Sequence, residues 1–142
     1  MNRNQLQNLT KLRVKEAKIL RENGYFTGAY YLLGYAVECA LKACIAKQVR
    51  EHDFPNKKLA NDSYTHNLIT LLKIANLTEE MKSSNNGSND RQENWSIITG
   101  ADAWSEAIRY NADGITQPVM NDFWNAVTDE NKGILKWLET YW

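Results

Sequence analysis

Proline is almost missing from this sequence: only Pro55 and Pro118 occur in 142 residues, so little forbids long helices. Cysteine and histidine are equally scarce, two of each, and their spacing offers no zinc set. Cys39 and Cys44 stand five apart within one apolar run. On a helix they point about 140° apart and cannot pair, which implies a reducing compartment. The seven glycines are scattered and form neither a P-loop nor a dinucleotide fingerprint. Net charge is zero, so no global basic field draws in nucleic acid. The first residues, MNRNQLQNLTKLRVKEAK, contain no apolar signal core, and a cytoplasmic protein is expected.

What is present suits one globular domain over residues 1–142: 43% of the residues are hydrophobic, 24% are charged, and five are Trp. The charge is unevenly divided. Residues 1–58 hold 11 Lys/Arg against five Asp/Glu, while residues 59–142 hold six against 12. Such a split either draws the two parts together inside a bundle or presents a basic face to phosphates.

Helical spacing places Leu6, Leu9, Leu12, Ala17 and Leu20 on one face of a helix over 4–22, with Lys11, Lys15 and Lys18 opposite. Asn23-Gly24 ends it. A second helix runs through AYYLLGYAVECALKACIAKQ, residues 29–48. Pro55 interrupts the chain, after which Asp62, Ser63 or Thr65 is placed to cap a short third helix at HNLITLLKIA. SSNNGSND, residues 83–90, has no apolar face and reads as a mobile loop. WSIITGADAWSEAIRYNADGITQ is expected to hold a turn, a short helix around 102–110 and another turn at Asp113-Gly114. From Pro118 to Trp142, ten apolar residues between Val119 and Tyr141 share one half of a helical wheel, with Pro118 in the first turn. No run alternates with a period of two. The expected fold is an all-α up-and-down bundle of four to five helices.

The 29–48 run is long enough to span a membrane, but Glu38 and Lys42 fall near its middle. Each charge there costs roughly 2.5–3.5 kcal/mol on insertion scales, so the run reads as the central helix of a bundle and no membrane partner is expected. Glu38 precedes Lys42 by four, the favourable orientation for an ion pair. Arg13 lies on the apolar face of the first helix and needs a partner, and an Arg13–Glu38 ion pair is the expectation. Glu130, on the apolar half of the last helix, is expected to pair with an arginine or face a dimer cleft. Trp124 and Trp137 belong to the core, leaving Trp95 and Trp104 as the tryptophans available for base stacking.

The run AYYLLGYAVECALKACIAK resembles the second helix of HEPN domains, small all-α domains of prokaryotic defence and toxin–antitoxin systems in which a Gly-Tyr-Ala-Val-Glu-x-x-Leu-Lys-Ala stretch is frequent. The order of the remaining elements is similar: Leu9–Leu20 with Gly24 before it, THNLITLL with its His-x-Leu after it, then WSEAIRY and a final amphipathic helix. The resemblance implies a bundle of four or five helices that dimerises, with the functional cleft at the dimer interface. Catalytic HEPN domains are metal-independent ribonucleases whose Arg and His, with four to six residues between them, meet from both protomers. There the His moves the 2′-OH or leaving-group proton and the Arg stabilises charge on the phosphate. No cofactor and no metal is implied.

In this sequence the matching arginine is Arg109, and Gly114, Ile115 and Thr116 stand where its histidine would be. None of the three is a general acid or base, and Tyr110 replaces the polar residue that follows the Arg. His52, in Arg50-Glu51-His52, has the wrong spacing. His66 matches the His-x-Leu position, as a helix cap or as a catalytic group. Arg109, with Tyr110, Asn111 and Asp113, contacts phosphate on one reading and forms a structural ion pair with ring packing on the other. Glu38 and Lys42 complete the candidate binding residues. The resemblance thus implies a non-catalytic interaction or nucleotide/RNA-binding module, a homodimer that partners a nucleotidyltransferase-like protein in a bacterial defence or toxin–antitoxin system. The alternative is a divergent metal-independent ribonuclease using Arg109 with His66, Tyr110 or Glu38.

Overall fold

The computed structural model describes residues 1–51, 57–83, 87–100, 104–111 and 114–142. Among them are eight α-helices, one 3-10 helix and no strand, so the protein is all-α. Helix α1, Arg3–Glu22, starts on a capping box: Asn2 Oδ1 accepts the Gln5 N–H and Gln5 Oε1 accepts the Asn2 N–H, each at 2.9 Å. It ends at Gly24, whose φ of 84° lies in the left-handed region. The Gly24 N–H reaches Arg21 O and the Tyr25 N–H reaches Leu20 O, the two bonds of a Schellman closure. Both ends therefore follow from local side-chain and backbone chemistry.

Helix α2, Phe26–Glu51, is the centre of the molecule and packs against α1 and against most of the later elements. Ala29, Leu33, Ala36, Val37, Ala40, Leu41 and Ala43 are fully buried. Small residues let α1 approach closely, and a Cβ on Gly28 would already meet Leu20 Cδ1 at 3.3 Å. Each large apolar side chain buried here contributes about 1.5–3 kcal/mol relative to exposure. By length and apolarity Phe26–Val49 passes as a membrane span, yet 72% of that apolar window is buried against the chain's own helices.

The following helices are short: α3, Lys57–Asp62; α4, Leu68–Ile74; α5, Thr78–Lys82; and α6, Asp90–Thr99. The cap of α4 is Asn67, whose Oδ1 accepts the Thr70 N–H at 2.9 Å, and not Asp62, Ser63 or Thr65. Thr65 instead accepts the Asn67 N–H at 3.1 Å and supports the cap from behind. The expected loop over 83–90 is shorter than the composition suggests, because Asp90 already begins α6 and Ser88 Oγ accepts its N–H. Residues 84–86 of that loop lie outside the described residues. The helix expected around 102–110 is a 3-10 helix over Glu106–Tyr110, with residues 101–103 outside the described set.

One expected element is two. Helix α7, Gln117–Thr128, stops at Asp129, and α8, Ile134–Glu139, begins after Gly133. Asp129 Oδ1 accepts the N–H groups of Asn131 and Lys132 at 2.9 and 2.8 Å, folding the chain into a turn. A Cβ on Gly133 would fall 2.4 Å from Asp129 O, so the turn requires glycine. Glu130 sits exposed in this turn and not on an apolar helical face, which corrects the expectation for it. Met120, Phe123, Ala126 and Val127 from α7 and Ile134, Leu135 and Leu138 from α8 still bury together on the core.

Candidate functional site

The polar edge of α2 carries the most unusual electrostatics in the molecule. Glu38 is 1% exposed, one of two buried polar residues among those described. Its Oε1 accepts from Lys42 Nζ and pairs with His66 Nδ1, both at 2.9 Å. Its Oε2 is buried with no hydrogen-bond partner. A carboxylate oxygen accepts and does not donate, so this contact selects a ring with its proton on His66 Nδ1, the tautomer in which Nε2 faces away from Glu38. His66 is held there by its neighbours in sequence, since Thr65 and Asn67 build the start of α4 on either side of it.

His66 is half-exposed and lines a cleft of about 240 Å³ together with Asn67, Thr99, Trp104, Ser105 and Glu106. Trp104 reaches α2 because residue 34 is glycine: a Cβ there would lie 2.1 Å from the indole nitrogen. The indole N–H donates to Tyr31 O at 3.2 Å, and the ring stacks on Tyr31 with centroids 6.4 Å apart. Tyr31 stacks in turn on Tyr35, over which the Arg13 guanidinium lies at 5.8 Å. An aromatic row thus runs along α2 beside the carboxylate. Burial pushes the Tyr35 hydroxyl up, with Cys39 and the Glu38 charge adding to it.

Arg109 joins this row from the 3-10 helix. Side-chain hydrogen bonds to Tyr31, and then to Tyr110, raise its pKa further, and its guanidinium lies 4.8 Å over the Tyr110 ring. Tyr110 is strongly exposed. Of the residues singled out from sequence, Lys42 and His66 both meet Glu38, and Arg109 contacts Tyr31 and Tyr110. Asn111 folds its amide over Gly114, where a Cβ would meet Nδ2 at 2.2 Å. Asp113 and His52 lie outside the described residues.

The expected Arg13–Glu38 pair is not formed. Arg13 Nη1 binds Glu16 at 2.5 Å, one turn along its own helix, while Glu38 is engaged from its other side by Lys42 and His66. The expectation that Trp95 and Trp104 are available for stacking also needs correction, since both rings are buried and Trp104 stacks within the chain. Cys39 and Cys44 are free and buried, with burial pushing their thiols up to about 11 and about 12. Neither is a thiolate nucleophile near neutral pH. Among the described residues no cluster of three His, Cys, Asp or Glu is gathered for a metal.

Tyr31 and Gly34 are site residues to which sequence reasoning assigned no role in the site. A glycine inside an otherwise apolar helix was the available signal, because it marks a close approach by something large. Comparison with family models, curated proteins and solved structures found no match to this chain. Fold and site together define an all-α protein in which a buried carboxylate pairs with a half-exposed histidine beside a polar cleft.

Proposed function

We propose that this chain is a HEPN-like up-and-down helical bundle that binds RNA or a nucleotide without cleaving it. On this reading it is a homodimer in the cytoplasm of a bacterium, partnering a nucleotidyltransferase-like protein in a defence or toxin–antitoxin system. The observation that carries it is the Glu38–His66 contact, which ties the GYAVE stretch of α2 to the His-x-Leu that follows it, 28 residues away. Around that contact lie groups suited to nucleotides: a half-exposed imidazole and hydroxyl and amide side chains in the cleft, while the 3-10 helix whose first residue, Glu106, lines the cleft also carries the Arg109–Tyr110 stack. Lys42 supplies a cation on the same edge.

One feature favours the ribonuclease alternative. His66 has its Nδ1 fixed by a carboxylate, the arrangement that leaves Nε2 ready to take a proton from a 2′-OH as that oxygen attacks the adjacent phosphorus and the 5′-oxygen departs. Arg109 is positioned through Tyr31 and Tyr110, and it is the group that would stabilise the added phosphate charge. The deciding experiment incubates the protein with total RNA in EDTA and measures binding and cleavage together. Binding without cleavage, weakened by Arg109→Ala and His66→Ala, supports the binding module. Cleavage abolished by either substitution replaces it with the nuclease, and absence of both, with no binding of a nucleoside triphosphate in a parallel titration, overturns the two readings alike.

A further inference from the structure

Helix α1 packs on α2, and its other flank meets α7 and α8 across an open groove of about 290 Å³. The floor of this groove is aliphatic. Val14 of α1 and Leu135 of α8 line it, and the two lining threonines have spent their hydroxyl protons: Thr10 Oγ1 donates to Leu6 O at 2.9 Å and Thr128 Oγ1 to Trp124 O at 2.7 Å. A hydroxyl bonded back onto its own helix leaves the methyl group as the surface it offers.

The rim is charged on one side only. Lys11 and Lys15 lie about 6 Å apart along α1, and among the described residues neither forms an ion pair. Lys11 rests 5.9 Å over the Trp142 ring, a contact that leaves its charge in place. On the facing rim Lys136 is already paired with Glu139 at 3.7 Å. The carboxylates nearby are committed elsewhere: Glu16 to Arg13, Glu22 to Lys18, and Asp129 to the N–H groups of Asn131 and Lys132. Asp122 and Glu130 do not line the groove. Two positive charges on the α1 rim are thus unanswered by any acid of the groove.

We propose that this groove docks an amphipathic helix of a partner protein, whose apolar side chains at i, i+3 and i+7 enter the floor and whose Asp or Glu residues run along the flank facing α1. The one-sided rim sets the orientation, because acids on the opposite flank meet a lysine that Glu139 already neutralises. A nucleic-acid strand would need aromatic platforms or spare donors in the floor, and the floor has neither. Arg13 lies across α1 from this surface, over the Tyr35 ring, so the groove acts independently of the Glu38–His66 site and does not rest on the reading given to it.

The test titrates the full chain into a fluorescein-labelled helical peptide of about 16 residues, with Leu at i, i+3 and i+7 spacing and Glu along one flank, and reads anisotropy. Saturable binding is expected. Two sister peptides, one with Gln for every Glu and one with Ala for every Leu, are expected to bind about tenfold more weakly. Lys11→Glu with Lys15→Glu should weaken the Glu peptide by a similar factor and take up a peptide with Lys in place of Glu, an exchange of preference that misfolding does not produce. Both lysines are exposed, so the double variant folds. His66→Ala with Arg109→Ala should leave peptide binding unchanged. No saturation by the Glu peptide, equal binding of the Gln or Ala peptide, no exchange of preference in the charge-reversed variant, or displacement of the peptide by a single-stranded oligonucleotide overturns the proposal. A dimer of the chain that the charge-reversed variant dissociates assigns the groove to a second copy and overturns it as well.

Discussion

Two carboxylates in this protein are used in the same way and in opposite surroundings. Glu38 is shared by a lysine and a histidine at the floor of the α2 edge, with 1% of its side chain exposed. Asp90 is shared by a lysine and a serine at the start of α6, with 38% exposed. Water and salt screen the second pair and reach the first poorly, so similar distances carry different energies. Removing a partner from the buried cluster strands a desolvated group, while removing one from the exposed cluster returns a lysine to solvent.

The largest effect is expected from Glu38→Ala, which opens a cavity and takes the partner from two cationic or polar groups. It should lower unfolding stability by about 3 kcal/mol in urea denaturation. Glu38→Met should cost less, because it fills the space and removes the Oε2 that has no hydrogen-bond partner. If alanine and methionine behave alike, loss of the carboxylate and not packing governs this edge. A double-mutant cycle between Glu38→Gln and His66→Ala should return a coupling of about 1 kcal/mol. Zero coupling would mean the 2.9 Å contact contributes nothing to stability.

The two buried thiols of α2 predict an alkaline effect. Their folded values, about 11 and about 12, lie above the ordinary 9.0. The native state therefore holds its thiol protons longer, and that contribution is complete below pH 9 and is lost as pH rises through 11 to 12. A thiol reagent at pH 8 should label neither cysteine until denaturant is added. Labelling at the rate of a free thiol would place Cys39 or Cys44 at the surface.

The smallest effect belongs to Asp90. Asp90→Asn should leave the denaturation midpoint unchanged at physiological salt. The Ser88 hydroxyl first, and then Lys132, hold its carboxyl below the usual carboxylate range. Its contribution is present above that range and disappears as pH falls through the lowered value, a change best sought at low ionic strength. A shift as large as that of Glu38→Ala would dissolve the contrast between the two clusters.

Local chemistry made α1, the closing Gly24 and the Glu38–Lys42 pair legible, because each depends on residues within a turn or two of one another. Residues in α6 were harder to read: only Trp95 and Ile98 bury, which gives a weak helical period. The stop between α7 and α8 was hidden because the residues on either side keep their apolar positions facing one core, and a wheel drawn through the turn looks unbroken. In the site, a helical wheel shows which face Arg13 occupies but not which acid it meets, and Glu16 was one turn away. His66 and Glu38 are 28 residues apart, and their contact is a property of how α4 docks on α2.

The smallest residue of α2 seats one of the largest side chains in the protein, and this gives the molecule a built-in optical gauge. With its ring buried against Tyr31 over Gly34, Trp104 should emit at short wavelength while the 3-10 segment is docked and shift to the red when it lifts. A variant retaining Trp104 as its sole tryptophan would let that docking be followed by fluorescence in real time, separately from global unfolding.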